Sequence, residues 1–239
     1  MARQVAGQLQ PDVVESIELN PKVPFTQNLE LLADKIAQSG SLADPVRVLY
    51  NTRVIPVPIK DFHDADAEAL YQSCFSCRKP TAVYYDVAPA DNVNLLFGVP
   101  EVVHKSLVST FSNLQISSAL APLLGLFSKE KRKQISTHTF YTIVRRQNID
   151  VVVYENSRLI LINTFDVRTV SDRAYFVFNI ARKIQADLSA DNFVLVGNPT
   201  LCEATKTEFA RFAKNVSILP LLSTLPPDAP IELKAYFRA

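Results

Sequence analysis

Residue types able to do chemistry are sparse in this chain, and they do not cluster. Cys74-Phe75-Ser76-Cys77 is a lone CxxC. A redox pair needs a thiol of lowered pKa, typically at a helix N-terminus. This one falls toward a helix C-terminus, with Arg78 and Lys79 nearby. A zinc site needs four ligands, yet Cys202 and the three histidines (His63, His104 and His138) are scattered. Structural thiols and surface or core histidines are the stronger readings. Asp64, Asp66 and Glu68 stand at a helix start, where the helix dipole accounts for them. Ser117-Ser118 has no nucleophile elbow around it. No P-loop and no dinucleotide fingerprint occurs. No catalytic residue and no metal ligand is assigned.

Composition sets outer limits. Hydrophobic residues make up 48% and charged residues 21% of the 239, enough apolar surface for a real core. With 25 basic and 24 acidic residues the net charge is +1, which gives no electrostatic footprint for nucleic acid or an anionic membrane. Only 5 residues are glycine, so few backbone positions can approach a phosphate closely. Three cysteines make no disulfide framework and favour a reducing compartment. The N-terminal residues have no apolar core of a signal peptide. The segment 106–128 is uncharged and long enough to span a bilayer. Its many Ser, Thr, Asn and Gln side chains and Pro122 instead predict a buried helix plus a connecting strand.

The elements that must position any site are clearest after His138. His138–Arg146, Ile149–Glu155 and Arg158–Phe165 are rich in β-branched and aromatic residues and are joined by tight polar turns, which predicts a three-strand meander. Alternation puts Leu159, Leu161, Asn163 and Phe165 on one side of the third strand; both sides are apolar enough to be covered. A helical period then runs over Ser171–Gln185, with Ser171 and Asp172 as cap and first-turn charge. Asn192–Gly197 reads as a buried strand. Thr200-Leu201-Cys202-Glu203 reads as a capping box opening a helix to about Lys214, and Val216–Leu222 as a last strand. Strand, strand, strand, helix, strand, helix, strand is the order of one ribonuclease-H-like half.

The first half is also mixed. Strands are predicted at Val14–Leu19, Val46–Tyr50, Arg53–Ile59, Thr81–Val87 and Val93–Phe97, and helices at Asn28–Gln38, Asp64–Cys74 and Glu101–Phe111. Lys129–Lys133 is a basic break between halves, and the tail Pro226-Pro227-Asp228-Ala229-Pro230 reads as extended. The expected fold class is α/β, two mixed sheets flanked by helices, divided as 1–130 and 131–239. The aromatic set Phe140, Tyr141, Tyr175, Phe176 and Phe178 reads as core.

Several stretches together resemble an uncharacterised bacterial family of degenerate actin-like proteins, similar in fold to the actin-like protein of type IV pilus assembly. They are Val54–Pro58, Asn94–Pro100, Asn163-Thr164-Phe165, Asp172, Tyr175, Phe176 and Val194–Gly197. The resemblance implies a duplicated ribonuclease-H-like (actin-like ATPase) fold, with a first half shorter than usual, and a cytoplasmic setting. An actin-like ATPase carries Asp-x-Gly in the first turn of each half, the Asp for metal and water and the Gly for backbone approach to phosphate. Here the second half offers Arg146-Gln147-Asn148 and the first Asn20-Pro21-Lys22, and Asp-x-Gly occurs nowhere. The adenosine loop is Val196-Gly197-Asn198-Pro199-Thr200, where one Gly survives. Gly197 and Asn198 are therefore the cofactor-binding candidates if nucleotide binds at all, although a strand-to-helix turn with positive φ is the stronger reading of Gly197. Arg145 and Arg146 read as a solvated pair at a strand end. The expectation is a catalytically inactive actin-like scaffold that binds an unknown protein partner, with no cofactor, no nucleic acid and no membrane span. The alternative is a divergent ATP-binding protein that uses the interdomain cleft.

Overall fold

Short extended runs open the first half: β1 (Ala2–Arg3) pairs antiparallel with β2 (Val13–Val14). The computed structural model describes residues 2–3, 13–14, 17–20, 22–39, 45–76, 79–130, 136–221, 225–226 and 229–238. The strand expected over Val14–Leu19 is thus limited, because Ile17–Leu19 takes no regular structure. Two compact units divide between Ala121 and Pro122.

In the first unit, Asn20 and Asn28 tie the chain ahead of α1 (Phe25–Ser39): the Asn20 N–H donates to Asn28 Oδ1 at 2.8 Å. β3 (Val46–Tyr50), β4 (Val54–Pro58), α2 (Ala67–Cys74), β5 (Thr81–Ala88), β6 (Val93–Pro100), α3 (Glu101–Thr110) and β7 (Leu114–Ser118) follow, and α4 (Leu120–Glu130) starts at the division and lies almost wholly in the second unit. The segment 106–128 is therefore a helix end, a strand and a second helix. Leu29 and Ala33 of α1 meet Leu107 of α3 and Phe111 in a small core that also covers Val46, Val48, Leu114 and Ile116. β3 and β7 form a parallel pair, and β4-β6-β5 an antiparallel trio. On the trio, Tyr71 of α2 packs where a Cβ on Gly98 would come within 2.6 Å of its ring.

β5 lies beside β7, and at that seam a side chain replaces ladder bonds. Asp86 Oδ2 accepts the Ser118 N–H at 2.6 Å. Burial raises the Asp86 carboxyl above its ordinary pKa, against the Ser118 N–H, the Ser117 hydroxyl and Arg47, which pull it down.

The second unit is one five-stranded sheet. β8 (His138–Val144), β9 (Asn148–Glu155) and β10 (Arg158–Asp166) form the meander. Asn156 and Ser157 both hold positive φ at the second turn, as a two-residue hairpin requires. α5 (Val170–Lys183), β11 (Asn192–Gly197), α6 (Pro199–Phe209), β12 (Asn215–Ile218) and α7 (Ile231–Tyr236) complete it, in sheet order β10-β9-β8-β11-β12. β8, β11 and β12 are parallel, as helical connections require. Phe140, Val151, Val153 and Phe193 face α5 and α6 through Val177, Ala181, Cys202 and Phe209. On the other face Phe127 of α4 stacks on Tyr141 at 4.2 Å, and Tyr141 meets Tyr154 edge-on.

Five expectations need correction. A bulge between Leu159 and Leu161 reverses the alternation, so these two leucines face opposite sides. The α5 cap is Thr169, not Ser171, in a capping box with Asp172. The α6 cap is Asn198, with Pro199 at the first helical position, and not Thr200. Tyr175 is exposed rather than core. α7 follows a tail expected to be extended only. Lys131–Lys133 of the basic break and Pro227-Asp228 of the tail lie outside the described residues.

The Asp86 seam predicts a pH signature. An unfolded Asp titrates near about 3.9, and the folded state holds this proton more tightly. The stability contributed by protonation is therefore full below the unfolded value and is lost as pH rises through the folded one. Relative to wild type, Asp86→Asn should gain stability between about pH 4 and pH 6. Urea unfolding followed by circular dichroism reads this, and a difference that stays flat with pH contradicts it.

Candidate functional site

In open α/β sheets, ligands sit beyond the C-terminal ends of strands where the strand order reverses. In the second unit the chain steps outward from β8 to β10 and returns on the other side of β8 as β11. The reversal therefore lies between β8 and β11. Their C-terminal ends carry Arg145-Arg146-Gln147 and Gly197-Asn198.

Gly197 pairs with Val144 across the sheet. Its φ is +148°, and a Cβ there would collide with the Val144 carbonyl oxygen. Glycine is thus required by the backbone alone. Asn198 Oδ1 accepts the Leu201 N–H at 3.2 Å, capping α6. Both candidate residues have structural work at the strand end.

Arg145 differs from its expected solvated state, whereas Arg146 is exposed. Its side chain is only 17% exposed and lies between two carboxylates of 6% and 12% exposure. Nη1 donates to Asp150 Oδ2 at 2.5 Å; Nε and Nη2 donate to Glu232 Oε1 of α7 at 3.0 and 2.6 Å. Asp150 Oδ1 accepts the Thr164 hydroxyl at 2.7 Å. Burial pulls the Arg145 pKa down, but Asp150 and Glu232 outweigh it and raise the pKa overall. From α5, buried Arg173 donates to the Arg145 carbonyl at 3.3 Å and to Thr205 Oγ1 at 3.1 Å. The Arg173 Nε has no partner, and burial lowers its pKa.

Sequence reasoning missed Asp150, Glu232, Arg173 and Thr205. One signal was available: Asp150 interrupts the apolar run Ile149–Val153, and a buried carboxylate needs a cation. Arg173 likewise stands on the inner face of α5 with Ala174 and Val177.

At the opposite strand ends, His138 is a core histidine hydrogen-bonded through Nδ1, with Nε2 buried and without a hydrogen-bond partner. Asp191 accepts its N–H at 2.7 Å and pairs with its Nδ1 at 2.8 Å, and Glu155 Oε1 lies 3.4 Å from Nε2. Ser136 Oγ bonds the His138 carbonyl and accepts from Asn192, so it does not address the ring as a nucleophile would. His63 is exposed, and His104 packs edge-on to Tyr84 at 5.7 Å. Asp64 hydrogen-bonds Tyr85, and Asn20 Oδ1 accepts the Lys22 N–H in a local turn. Cys74 is exposed at the end of α2, Cys202 is buried, and Cys77 lies outside the described residues. Among the described residues no group of three His, Cys, Asp or Glu side chains is placed to hold a metal, and no helix is long and apolar enough to cross a membrane.

The family model described as "Protein of unknown function (DUF3822)" matches residues 19–216. No curated protein matches the chain. A Bacteroides thetaiotaomicron protein "with actin-like ATPase fold and unknown function" superposes with a TM-score of 0.81 at 22% identity, covering 96% of this chain and 87% of that one. The PilM-PilN type IV pilus biogenesis complex gives a TM-score of 0.54 at 9% identity, covering 87% and 81%. These likenesses give the chain the actin-like ATPase fold.

Two outcomes follow from the geometry. Gly197→Ala should lower unfolding stability by at least ~1–3 kcal/mol, read by urea denaturation; an unchanged midpoint contradicts the backbone requirement. Burial pushes the Cys202 thiol up to about 11, against the pull of Arg173. Iodoacetamide at neutral pH should therefore label Cys74 in the native protein, and Cys202 only after unfolding, as mapped by peptide mass.

Proposed function

This chain belongs to the DUF3822 family, and we propose that it is a catalytically inactive actin-like scaffold that binds a protein partner. One observation carries the reading: in the second unit the carboxylate nearest the β8–β9 turn is already consumed. Metal and water handling in an ATPase needs a carboxylate with free oxygens facing the cleft. In the second unit Asp150 is neutralised by Arg145 and bonded by Thr164.

The first unit supports the same reading. Set side by side, β4-β6-β5 and β7-β3 give three antiparallel strands followed by a parallel pair, the same pattern as β10-β9-β8-β11-β12. In that correspondence β5 matches β8, and the β5–β6 turn, not Asn20-Pro21-Lys22, matches the β8–β9 turn. Inside β5, two residues before its end, Asp86 is held by Ser117 and Ser118, while Asp91 stands in the turn itself. Neither turn supplies Asp-x-Gly. This pattern supports duplication, with the first copy's strands in a different chain order.

The class of partner draws on one neighbour. PilM is solved in complex with PilN, and a scaffold of this fold that holds a protein is the simplest role left once the turns are occupied. Calorimetry of the full chain with ATP and ADP, with and without Mg²⁺, tests the proposal. No heat of binding at micromolar nucleotide is the expected result. Micromolar binding overturns the reading and favours a divergent ATP-binding protein. Gly197→Val does not serve as a control there, because the backbone itself excludes the side chain.

A further inference from the structure

The contact between Arg145 and α7 is built unlike an ordinary helix docking. On one side is a rigid seat. Asp150 fixes one nitrogen of the Arg145 guanidinium, and Thr164 fixes Asp150. From the opposite face of the sheet, Arg173 holds the Arg145 carbonyl. None of these supports involves α7. Two donors of the fork, Nε and Nη2, are left pointing to Glu232. A guanidinium fork so oriented takes a carboxylate.

On the other side is a weak occupant. α7 has 6 residues, far short of the roughly 12–15 at which an isolated helix becomes even marginal in water. It follows a proline-rich tail. Its anchors include Glu232, the fully buried Ala235 and a half-buried Ile231 and Leu233, and Lys234 and Tyr236 also interact. Beyond it, Arg238 reaches the Pro220 carbonyl at 3.3 Å. Tethering gives such a segment an effective concentration on the order of millimolar. Occupancy in cis therefore does not require high intrinsic affinity, and an external helix of modest affinity can compete.

We propose that Arg145 is a docking seat for a helix-borne carboxylate, that α7 fills it in cis through Glu232, and that a protein partner docks by presenting an acidic helix in place of α7. The recognised pattern is that of α7 itself: an apolar residue, a glutamate, an apolar residue, and an alanine-sized residue three positions after the glutamate. This rests on the partner-binding reading above and supplies its contact chemistry and its regulation. Released α7 is the open state, and seated α7 is autoinhibited.

The probe is a fluorescent synthetic peptide of residues 229–238, titrated into the full-length chain and read by anisotropy. In full-length Glu232→Lys the cis helix meets Arg145 with like charge and vacates the seat. The peptide should bind that variant at least tenfold more tightly than wild type. A peptide carrying Glu232→Gln should lose at least tenfold on the same variant. Hydrogen exchange should show amides 231–236 losing protection while β8 and β11 keep theirs. Should the Lys variant melt below wild type, Glu232→Gln in the full chain serves in its place with the same arms. Equal binding of the two peptides, or no binding to a folded variant, overturns the proposal. Concentration-dependent dimers of wild type that disappear in Glu232→Lys overturn it in favour of a second copy as occupant. Peptide binding is independent of nucleotide calorimetry, so the failure of either reading is seen separately.

Discussion

The ion pair of Arg145 and Asp150 is the constraint from which the second unit's functional end follows. Asp150 sits inside an apolar strand at 6% exposure. A bare carboxylate there is far too costly, so a cation must come to it. Arg145, five residues earlier and just past the end of β8, is the cation the hairpin brings within reach. Once Arg145 is committed, its remaining donors need acceptors, and α7 supplies one through Glu232. Its backbone is then held by Arg173, which ties α5 to the same corner. One buried charge thereby organises a turn, a helix on each face and the C-terminal tail.

The order of elements in the second unit was legible because each level of the chain agreed. Apolar runs, tight turns and the change of period after Phe165 all pointed one way. What was not legible came from residues whose partners lie far along the chain. The bulge at Leu159–Leu161 has no local marker. Thr169 competes with Ser171 as a cap, and only the reciprocal bonds with Asp172 decide it. α7 is too short to leave a clear helical period, and it is held by a residue 87 positions away. Arg145 looked like half of a solvated pair for the same reason. Its carboxylates are visible only in three dimensions, although Asp150 amid Ile149, Val151 and Val152 signals a cation nearby.

The first unit was harder to read because only some of its strands pair in chain order. β3 and β4 are neighbours in sequence, yet β3 pairs with β7 and β4 with β6. The turn at Asn51-Thr52 between β3 and β4 therefore carries no information about pairing, unlike the β5–β6 turn. The seam at Asp86 is also a side-chain device: a carboxylate caps the end of β7 where a backbone carbonyl would normally accept. Such a joint costs desolvation and returns hydrogen bonds, and only the three-dimensional setting shows that Ser117 and Ser118 are there to make them.

Both units thus resolve the same physical problem in the same manner. A carboxylate near the end of a strand must either face a ligand or be satisfied from within. In an enzyme of this fold it faces the ligand, and some stability is given up to keep it free. Here Asp86 and Asp150 each take internal donors, and Gly197 is kept by its backbone contact with Val144. Satisfying these groups internally rigidifies the corner. On the scaffold reading proposed above, a rigid corner of this kind holds one helix at a time. Under the proposed scaffold role, selection acts on which helix that is. The competition is then between a tethered, weak occupant and a free, better-fitting one, which is a switch that needs no chemistry in the protein itself.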